Sequence, residues 1–390
     1  MRLPPITMAA QSELISERSA TFHTGDLFYK PKSRIIRDLG VLALAVLGEQ
    51  RQQTEPLQVL DAMSGSGVRS LRYAREINHT CVVHSNERMF GEHPLHANLQ
   101  PIVDEKLCTV TEEDAVDLYL RARIDGNRFD LVDCDAFGTG QPHLSEAWWA
   151  VKAGGLLYLC ATDSCTTAGH NPHKATSGYA AAAHHFPACN EQGLRLVLGA
   201  AWREAAARNL HASPVFSYFH QPSSSFRVML RLDKPKRPPA KAYENLMHVA
   251  RCKETGELWT LRSDDLGSLA SRSEPCEVMG PMWVGPMHDG KFLAGMTEHA
   301  KERGWHDVVT LLDTMADEAE AEASGALLFY HLGEVQRQLV KSGLELPPLP
   351  SMIEALREAG FGASHVHSER KALKTSATLE EVVSVVRGMS

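Results

Sequence analysis

The sequence predicts an α/β protein: a doubly wound, mostly parallel sheet with a C-terminal antiparallel hairpin, followed by a smaller α+β domain. Three observations carry this. From about residue 56, short apolar runs alternate with longer amphipathic ones, as when parallel strands are joined by crossover helices. Two closely spaced strand-like runs, 215–220 and 226–232, then read as a hairpin completing that sheet. Finally, residues 233–241 (DKPKRPPAK) carry three prolines and four lysines or arginines, a linker composition that separates this part from a different remainder.

Taken in order, residues 57–60 read as the first strand, ending at Asp61 and a Gly/Ser-rich turn, with a helix over 67–76. Residues 81–84 and 107–110 are the second and third strands, with 90–99 helical between them. Asp114 caps a helix to about residue 123, and 129–132 is the fourth strand. A helix with Trp148 and Trp149 precedes a turn at Gly154 and Gly155, and 156–161 is the fifth strand. A helix over about 194–209 leads into the hairpin. Beyond the linker, a mixed region to about residue 289 contains the Gly/Pro-punctuated stretch 280–286, and the rest reads as mostly helical, with Pro347, Pro348 and Pro350 opening a helix at 352–359.

With 390 residues, 43% hydrophobic and 23% charged, the chain has the composition of a globular protein of two to three domains. A net charge of -8 argues mildly against a nucleic-acid partner, but phosphate contacts depend on local clusters. Three clusters exist: Lys30, Lys32, Arg34 and Arg37; Lys234, Lys236, Arg237 and Lys241; and Arg370, Lys371 and Lys374. None of the eight cysteines has CxxC spacing, which fits buried free thiols in a reducing cytosol. The histidines form no HExxH pattern, and no residue is assigned to a metal. No apolar run is long enough for a bilayer, and the N-terminus lacks a basic start followed by an apolar core. The expectation is a cytoplasmic protein with no membrane partner and no evident obligate protein partner.

The first strand ends in Asp61-Ala62-Met63-Ser64-Gly65-Ser66-Gly67-Val68-Arg69. Ligands of doubly wound sheets bind at such strand ends, where Ser64, Gly65 and Gly67 let the backbone come close. The second strand ends at Glu87, a carboxylate placed to hold two ribose hydroxyls. The third is followed by Glu113, Asp114 and Ala115, placed to contact an adenine edge. Dinucleotide dehydrogenases share the ribose acid but carry a third glycine, where this chain has Ser70. Glycine loop, ribose acid and adenine acid at successive strand ends favour S-adenosyl-L-methionine over NAD.

At the fourth strand the chain reads Phe129-Asp130-Leu131-Val132-Asp133-Cys134-Asp135-Ala136-Phe137-Gly138-Thr139. This resembles the Asp-x-Asp-Pro-Phe/Tyr-Gly-Ser motif of the tRNA (guanine-26 N2)-dimethyltransferase family, with Ala136 in place of the proline. Phe28-Tyr29-Lys30-Pro31 and Arg37-Asp38-Leu39 are similar to that family's N-terminal segment, with Lys30 and Ile36 where it has asparagines. Residues 61–72, Ala161-Thr162-Asp163, GPMWVGP at 280–286, and 365–377 with Lys374-Thr375 match further family segments in order and spacing. The resemblance runs from about residue 15 to the end. Some family members carry a cysteine zinc cluster; here the second domain offers only Cys252 and Cys276.

The resemblance implies a Rossmann-like class I methyltransferase domain at 55–233, packed by a segment at 1–54 and joined through 234–241 to a C-terminal tRNA-binding domain at 242–390. It implies methyl transfer from S-adenosyl-L-methionine to the exocyclic N2 of guanine in tRNA. Asp135 would contact the amine, and Phe137 and Phe28 would sandwich a flipped base. Arg37 and Arg69 match family arginines near the methionine carboxylate, while Glu87, Asp114 and Ala115 would hold the nucleoside. Two other readings stay open: an N-methyltransferase of another substrate, and a catalytically impaired tRNA-binding protein.

Overall fold

The computed structural model describes residues 13–27, 29–51, 55–88, 93–233, 242–271 and 274–389. The predicted linker at 234–241, Phe28, and the start of the helix predicted at 90–99 fall outside them. A hairpin, β1 (Leu14–Glu17) and β2 (Ala20–His23), precedes helix α1 (Arg34–Gln50). The central sheet is built from β3 (Leu57–Asp61), β4 (Cys81–Asn86), β5 (Cys108–Thr111), β6 (Phe129–Cys134), β7 (Val151–Ala161), β8 (Ala212–His220) and β9 (Ser225–Leu232). Its order is β5-β4-β3-β6-β7-β9-β8. β3 to β7 run parallel, and β9 runs antiparallel to both β7 and β8. Between β3 and β6 the chain turns from one half of the sheet to the other, which is where a doubly wound sheet opens a crevice at its strand ends.

The connecting helices are α2 (Val68–Glu76), α3 (Leu95–Asp104), α4 (Ala115–Asp125), the short α5 (Gln141–Leu144), α6 (Ala147–Ala150) and α7 (Ser164–Thr167), then α8 (Pro172–Tyr179) and α9 (Cys189–Ala207). Two local expectations need correction. Helix α3 is displaced towards the C-terminus and carries Pro101 inside it. The glycines at 154 and 155 do not make a turn but lie inside β7, beside a register shift between Phe129 and Leu131. A Cβ on Gly155 would come within 2.9 Å of Asp130 O and 3.0 Å of Lys152 O, so glycine is needed because backbones crowd at an irregularity.

Beyond residue 241 come β10 (Leu246–Cys252), β11 (Leu258–Leu261) and β12 (Cys276–Trp283), an antiparallel sheet of order β11-β10-β12. Helices α10 (Gly290–Glu302) and α11 (His306–Ala323) follow. The last part contains β13 (Tyr330–His331), α12 (Leu332–Lys341), α13 (Leu349–Glu358), β14 (Ala363–Val366), β15 (Glu369–Thr375) and α14 (Leu379–Met389), with sheet order β13-β15-β14. The mostly helical expectation missed this small sheet. Among the described residues, no helix is long and apolar enough to cross a membrane.

The two parts share their cores. Leu39, Val41 and Leu42 of α1 pack with Val59 and Val83 of the sheet and with Phe292, Met296 and Leu312 of α10 and α11. A Cβ on Gly295 would lie 3.1 Å from Val46, so glycine lets α10 sit close against α1. On the other face, Leu194 and Leu198 of α9 pack with Met279, Met282 and Trp283 of β12. Only α12, α13 and α14 enclose a core of their own with Tyr330 and Leu373.

A buried ion network pins the same junction. Lys374 Nζ lies 3.0 Å from Glu191 Oε1, 3.2 Å from Glu318 Oε2 and 2.8 Å from Glu322 Oε1. Arg195 Nη2 meets Glu322 Oε1 at 3.0 Å, and its Nη1 donates to Trp283 O and Gly285 O at 3.2 and 3.0 Å. Burial alone would lower the Lys374 ammonium, but Glu191, Glu322 and Glu318 hold it charged. Arg370, Lys371 and Lys374, grouped in the sequence as one basic cluster, therefore do not share one environment. The first two are exposed, whereas Lys374 is fully buried and its donors point at protein carboxylates.

Candidate active site

A cavity of about 270 Å³ opens at the C-terminal ends of the central strands. The loop between β3 and α2 forms its first wall. Ser64 Oγ donates to Asp61 O at 3.0 Å, and Gly67 N donates to Ser64 O at 2.9 Å, closing a tight turn. Gly65 has φ 53° and nothing within 4 Å of a Cβ position, so its backbone faces open space. Glu87, at the end of β4, lines the cavity and accepts from Gly65 N at 2.7 Å through Oε2. Glu87 thus both lines the cavity and holds the glycine loop.

The structure does not bring the other loop and adenine residues into this cavity. Gly67 caps α2 with φ 83°, and a Cβ there would come 2.9 Å from Leu99, so its role is packing against α3. Asp61 is fully buried behind the loop, where Oδ2 accepts from Ser70 Oγ at 2.7 Å. Burial, and then the charge of Asp133, push its carboxyl up to about 7. Asp114 caps α4 by accepting from Val116 N at 2.9 Å and pairs with Arg88 at 3.0 Å; Ala115 sits in the core.

The second wall is the segment after β6. Asp135 is held from two sides: Arg69 Nη2 donates to Oδ2, and Arg227 Nη2 donates to Oδ1 at 2.7 Å. Burial would raise this carboxyl, but Arg227 and Arg69 hold it well below the usual carboxylate range. Asp133, two residues earlier, is fully buried and accepts from Tyr73 OH at 2.7 Å and Arg69 Nη1 at 3.1 Å. Phe137 stands 82% exposed on the cavity rim. The loop behind it is tied to the end of β7: Gly138 N donates to Thr162 Oγ1, and Thr162 N donates to Gly138 O, both at 2.7 Å. Ala136, between this pair and the clamped Asp135, is buried in the core.

Tyr29, Lys30, Ile36 and Arg37 supply the third wall; Phe28 lies outside the described residues. Arg37 Nε donates to Glu17 Oε1 at 2.7 Å, its Nη2 donates to Glu17 Oε2, and Tyr29 OH donates to Glu17 Oε2 at 2.8 Å. Both arginines expected near a methionine carboxylate are thus already paired with protein carboxylates. They line the cavity, but as shaped walls whose charge is largely met.

Arg227, Ser225 and Ser223 line the cavity from the β8–β9 hairpin, and no motif marked them. The one available signal was a charged residue inside an otherwise apolar strand run, since an arginine buried in a sheet needs a partner. Among the described residues one set converges as metal ligands would: His288, Glu318 and His367. Its hydrogen bonds argue against coordination. His367 Nε2 accepts from Phe219 N at 3.2 Å while Nδ1 lies 2.7 Å from Glu318 Oε1, which places the ring proton on Nδ1. A cation on Nδ1 would force that proton onto Nε2, against another N–H.

A parallel sheet finished by an antiparallel hairpin, with a glycine loop and a ribose acid facing one cavity, is the architecture of the class I methyltransferases. The profile of the N2,N2-dimethylguanosine tRNA methyltransferase family matches residues 10–387, and the chain belongs to that family. It is 28% identical over 379 residues to the tRNA (guanine(26)-N(2))-dimethyltransferase of Methanothermobacter thermautotrophicus, covering 93% of each chain. It is 26% identical over 396 residues to the enzyme of the same name from Pyrococcus abyssi, covering 97% of each. In fold it is similar to Trm1 from Pyrococcus horikoshii, solved in complex with S-adenosyl-L-methionine, with a TM-score of 0.77, 23% identity, and coverage of 96% of this chain and 99% of that one.

Proposed function

We propose that this chain methylates the exocyclic N2 of guanine-26 in tRNA, using S-adenosyl-L-methionine as methyl donor, to give N2-methyl- and N2,N2-dimethylguanosine. Family membership over nearly the whole chain supports the reaction. The observation that carries the site is an anionic Asp135 clamped beside an exposed Phe137, in the same cavity as Glu87.

S-adenosyl-L-methionine supplies an electrophilic methyl on a sulfonium. Glu87 would accept from the ribose hydroxyls, and the open backbone at Gly65 would lie along the methionine part. Guanine N2 is a poor nucleophile because its lone pair is delocalised into the ring. A carboxylate accepting from the amine localises that pair and aims it, which is positioning chemistry. With both oxygens held by guanidinium groups, Asp135 is a weak base. Its role in this reading is to orient N2 and to stabilise the positive charge that develops on attack; the strongly acidic ammonium then gives its proton to water. Phe137, with Phe28 opposite, would stack on the extruded base.

Residues 55–233 carry the chemistry in this reading and 242–390 grip the tRNA, where exposed Arg370 and Lys371 remain candidates for phosphate. A tRNA substrate and thiols outside disulfides fit work in the cytoplasm. The test is incubation with methyl-labelled S-adenosyl-L-methionine and tRNA transcripts carrying guanine or adenine at position 26. Label in N2-methylated guanosine from the first transcript alone is expected; label in both, or in neither, overturns the assignment.

A further inference from the structure

Away from the cavity, β10 and β12 set two thiols opposite one another. Cys252 and Cys276 are direct partners in the antiparallel register. Lys253 N donates to Pro275 O at 3.0 Å, while Cys252 N donates away from β12, to Glu257 O at 2.9 Å. This pattern makes Cys252 and Cys276 a non-hydrogen-bonded pair. At such sites opposed Cα atoms lie about 4.5 Å apart and the side chains are closest. Disulfides span Cα separations of roughly 4.4–6.8 Å, so the strands are already at bonding range. Neither thiol is in a disulfide.

Cys252 is 2% exposed, so a small oxidant would have to reach it from the groove beside it. It borders a groove of about 570 Å³, with Thr255, Leu258 and Gln338 among its walls. Burial would raise its thiol, but the Thr255 hydroxyl and the Thr255 and Glu254 backbone amides bring it below the usual value. Burial instead pushes Cys108 and Cys134 up to about 12. Thiolate character, and not thiol content, sets nucleophilicity and oxidation.

We propose that Cys252 and Cys276 form a reversible cross-strand disulfide, a redox-modification site on the C-terminal sheet. With a hydroperoxide as oxidant, the Cys252 thiolate attacks the peroxide: an S–O bond forms, the O–O bond breaks, and the displaced oxygen leaves protonated. The Cys276 sulfur then attacks the sulfenic sulfur, the S–S bond forms, and hydroxide leaves as water. Two thiols have lost two electrons and two protons, and a small dithiol reverses the step by exchange. The bond closes the chain from 252 to 276, including β11, into a covalent loop.

The full-length protein is treated with stoichiometric hydrogen peroxide, blocked with an alkylating reagent and mapped by peptide mass spectrometry. The expected product is a peptide joining Cys252 to Cys276 that dithiothreitol dissolves, with a thermal midpoint several degrees above that of the reduced protein. Cys276→Ser should fold with the midpoint of the reduced protein and show neither the joined peptide nor the peroxide-induced rise. Oxidation confined to the exposed Cys165, or sulfinic acid at Cys252 without a joined peptide, overturns the proposal, as does a rise that persists in Cys276→Ser.

Discussion

At the scale of single residues, the acids at the strand ends look alike in sequence but differ in environment. Asp135 meets a guanidinium at each oxygen, Asp133 is buried beside Tyr73 and Arg69, and Asp61 is enclosed with Ser70. Asp135→Ala should lower single-turnover methyl transfer by a factor of about 10² to 10³, the cost of losing one group that stabilises developing charge, while leaving cofactor binding nearly intact. Because Asp135 titrates far below neutrality, it should add no inflection to the wild-type rate profile between about pH 6 and 9. Transfer by Asp135→Ala within a few-fold of wild type would remove the proposed role. Asp133→Asn should retain more activity than Asp135→Asn, since Asp133 acts only through Arg69 and Tyr73. Asp61 makes a different prediction. Its folded value of about 7 lies above the ordinary 3.8, so the contribution it makes is fully present below about pH 4 and is lost as the pH rises through 7. Denaturant melts at about pH 4.5 and 7.5 should therefore show wild type losing more stability across that window than Asp61→Asn. Equal losses would mean that Asp61 is ionised throughout.

Among elements, the loop between β3 and α2 depends on a partner from the next strand. Glu87→Ala removes both the expected ribose contacts and the acceptor for Gly65 N, and should weaken S-adenosyl-L-methionine binding by roughly 1–3 kcal/mol in calorimetric titration. Wild-type affinity in that variant would place the cofactor elsewhere. This part of the site was legible in sequence because a parallel strand buried on both faces reads as an apolar run, and its end is where polar residues resume. Glu87 was singled out that way, whereas Asp135 was singled out by the family resemblance of the segment that follows β6. Arg227 was not: it lies inside β9, where the same apolar run hides a cavity-facing charge. The strands of the C-terminal region were obscure because β13 and β14 are short and β13 finds its partner, β15, far along the chain. Lys374 looks equivalent to Arg370 and Lys371 in the sequence, whereas the second half of β15 is buried as a whole and three distant glutamates meet Lys374 there.

For the whole molecule, the network around Lys374 joins α9, α11 and β15 across the seam between sheet and C-terminal region. Removing one member of a buried ion cluster leaves the others uncompensated, so Lys374→Ala should destabilise the fold by about 3–5 kcal/mol in denaturant melts. Arg370→Ala with Lys371→Ala should leave stability within about 0.5 kcal/mol of wild type. If those residues reach phosphate, the same pair should also reduce the salt slope of tRNA binding by up to about two units. An unchanged slope would mark them as a solvated face.

The seam has a consequence for how a folded nucleic acid meets this protein. Helices α1 and α10 interlock at Gly295, and charged groups are locked between α9, α11 and β15, which leaves little room for the two parts to swing like jaws. Reshaping on encounter then falls to the RNA. On the proposed reaction a guanine would leave its stack and enter a notch that is already formed, with Phe137 exposed at its rim. Turnover would accordingly follow the ease of local melting around the target nucleotide, faster for a loosened tRNA core than for one braced by strong pairing.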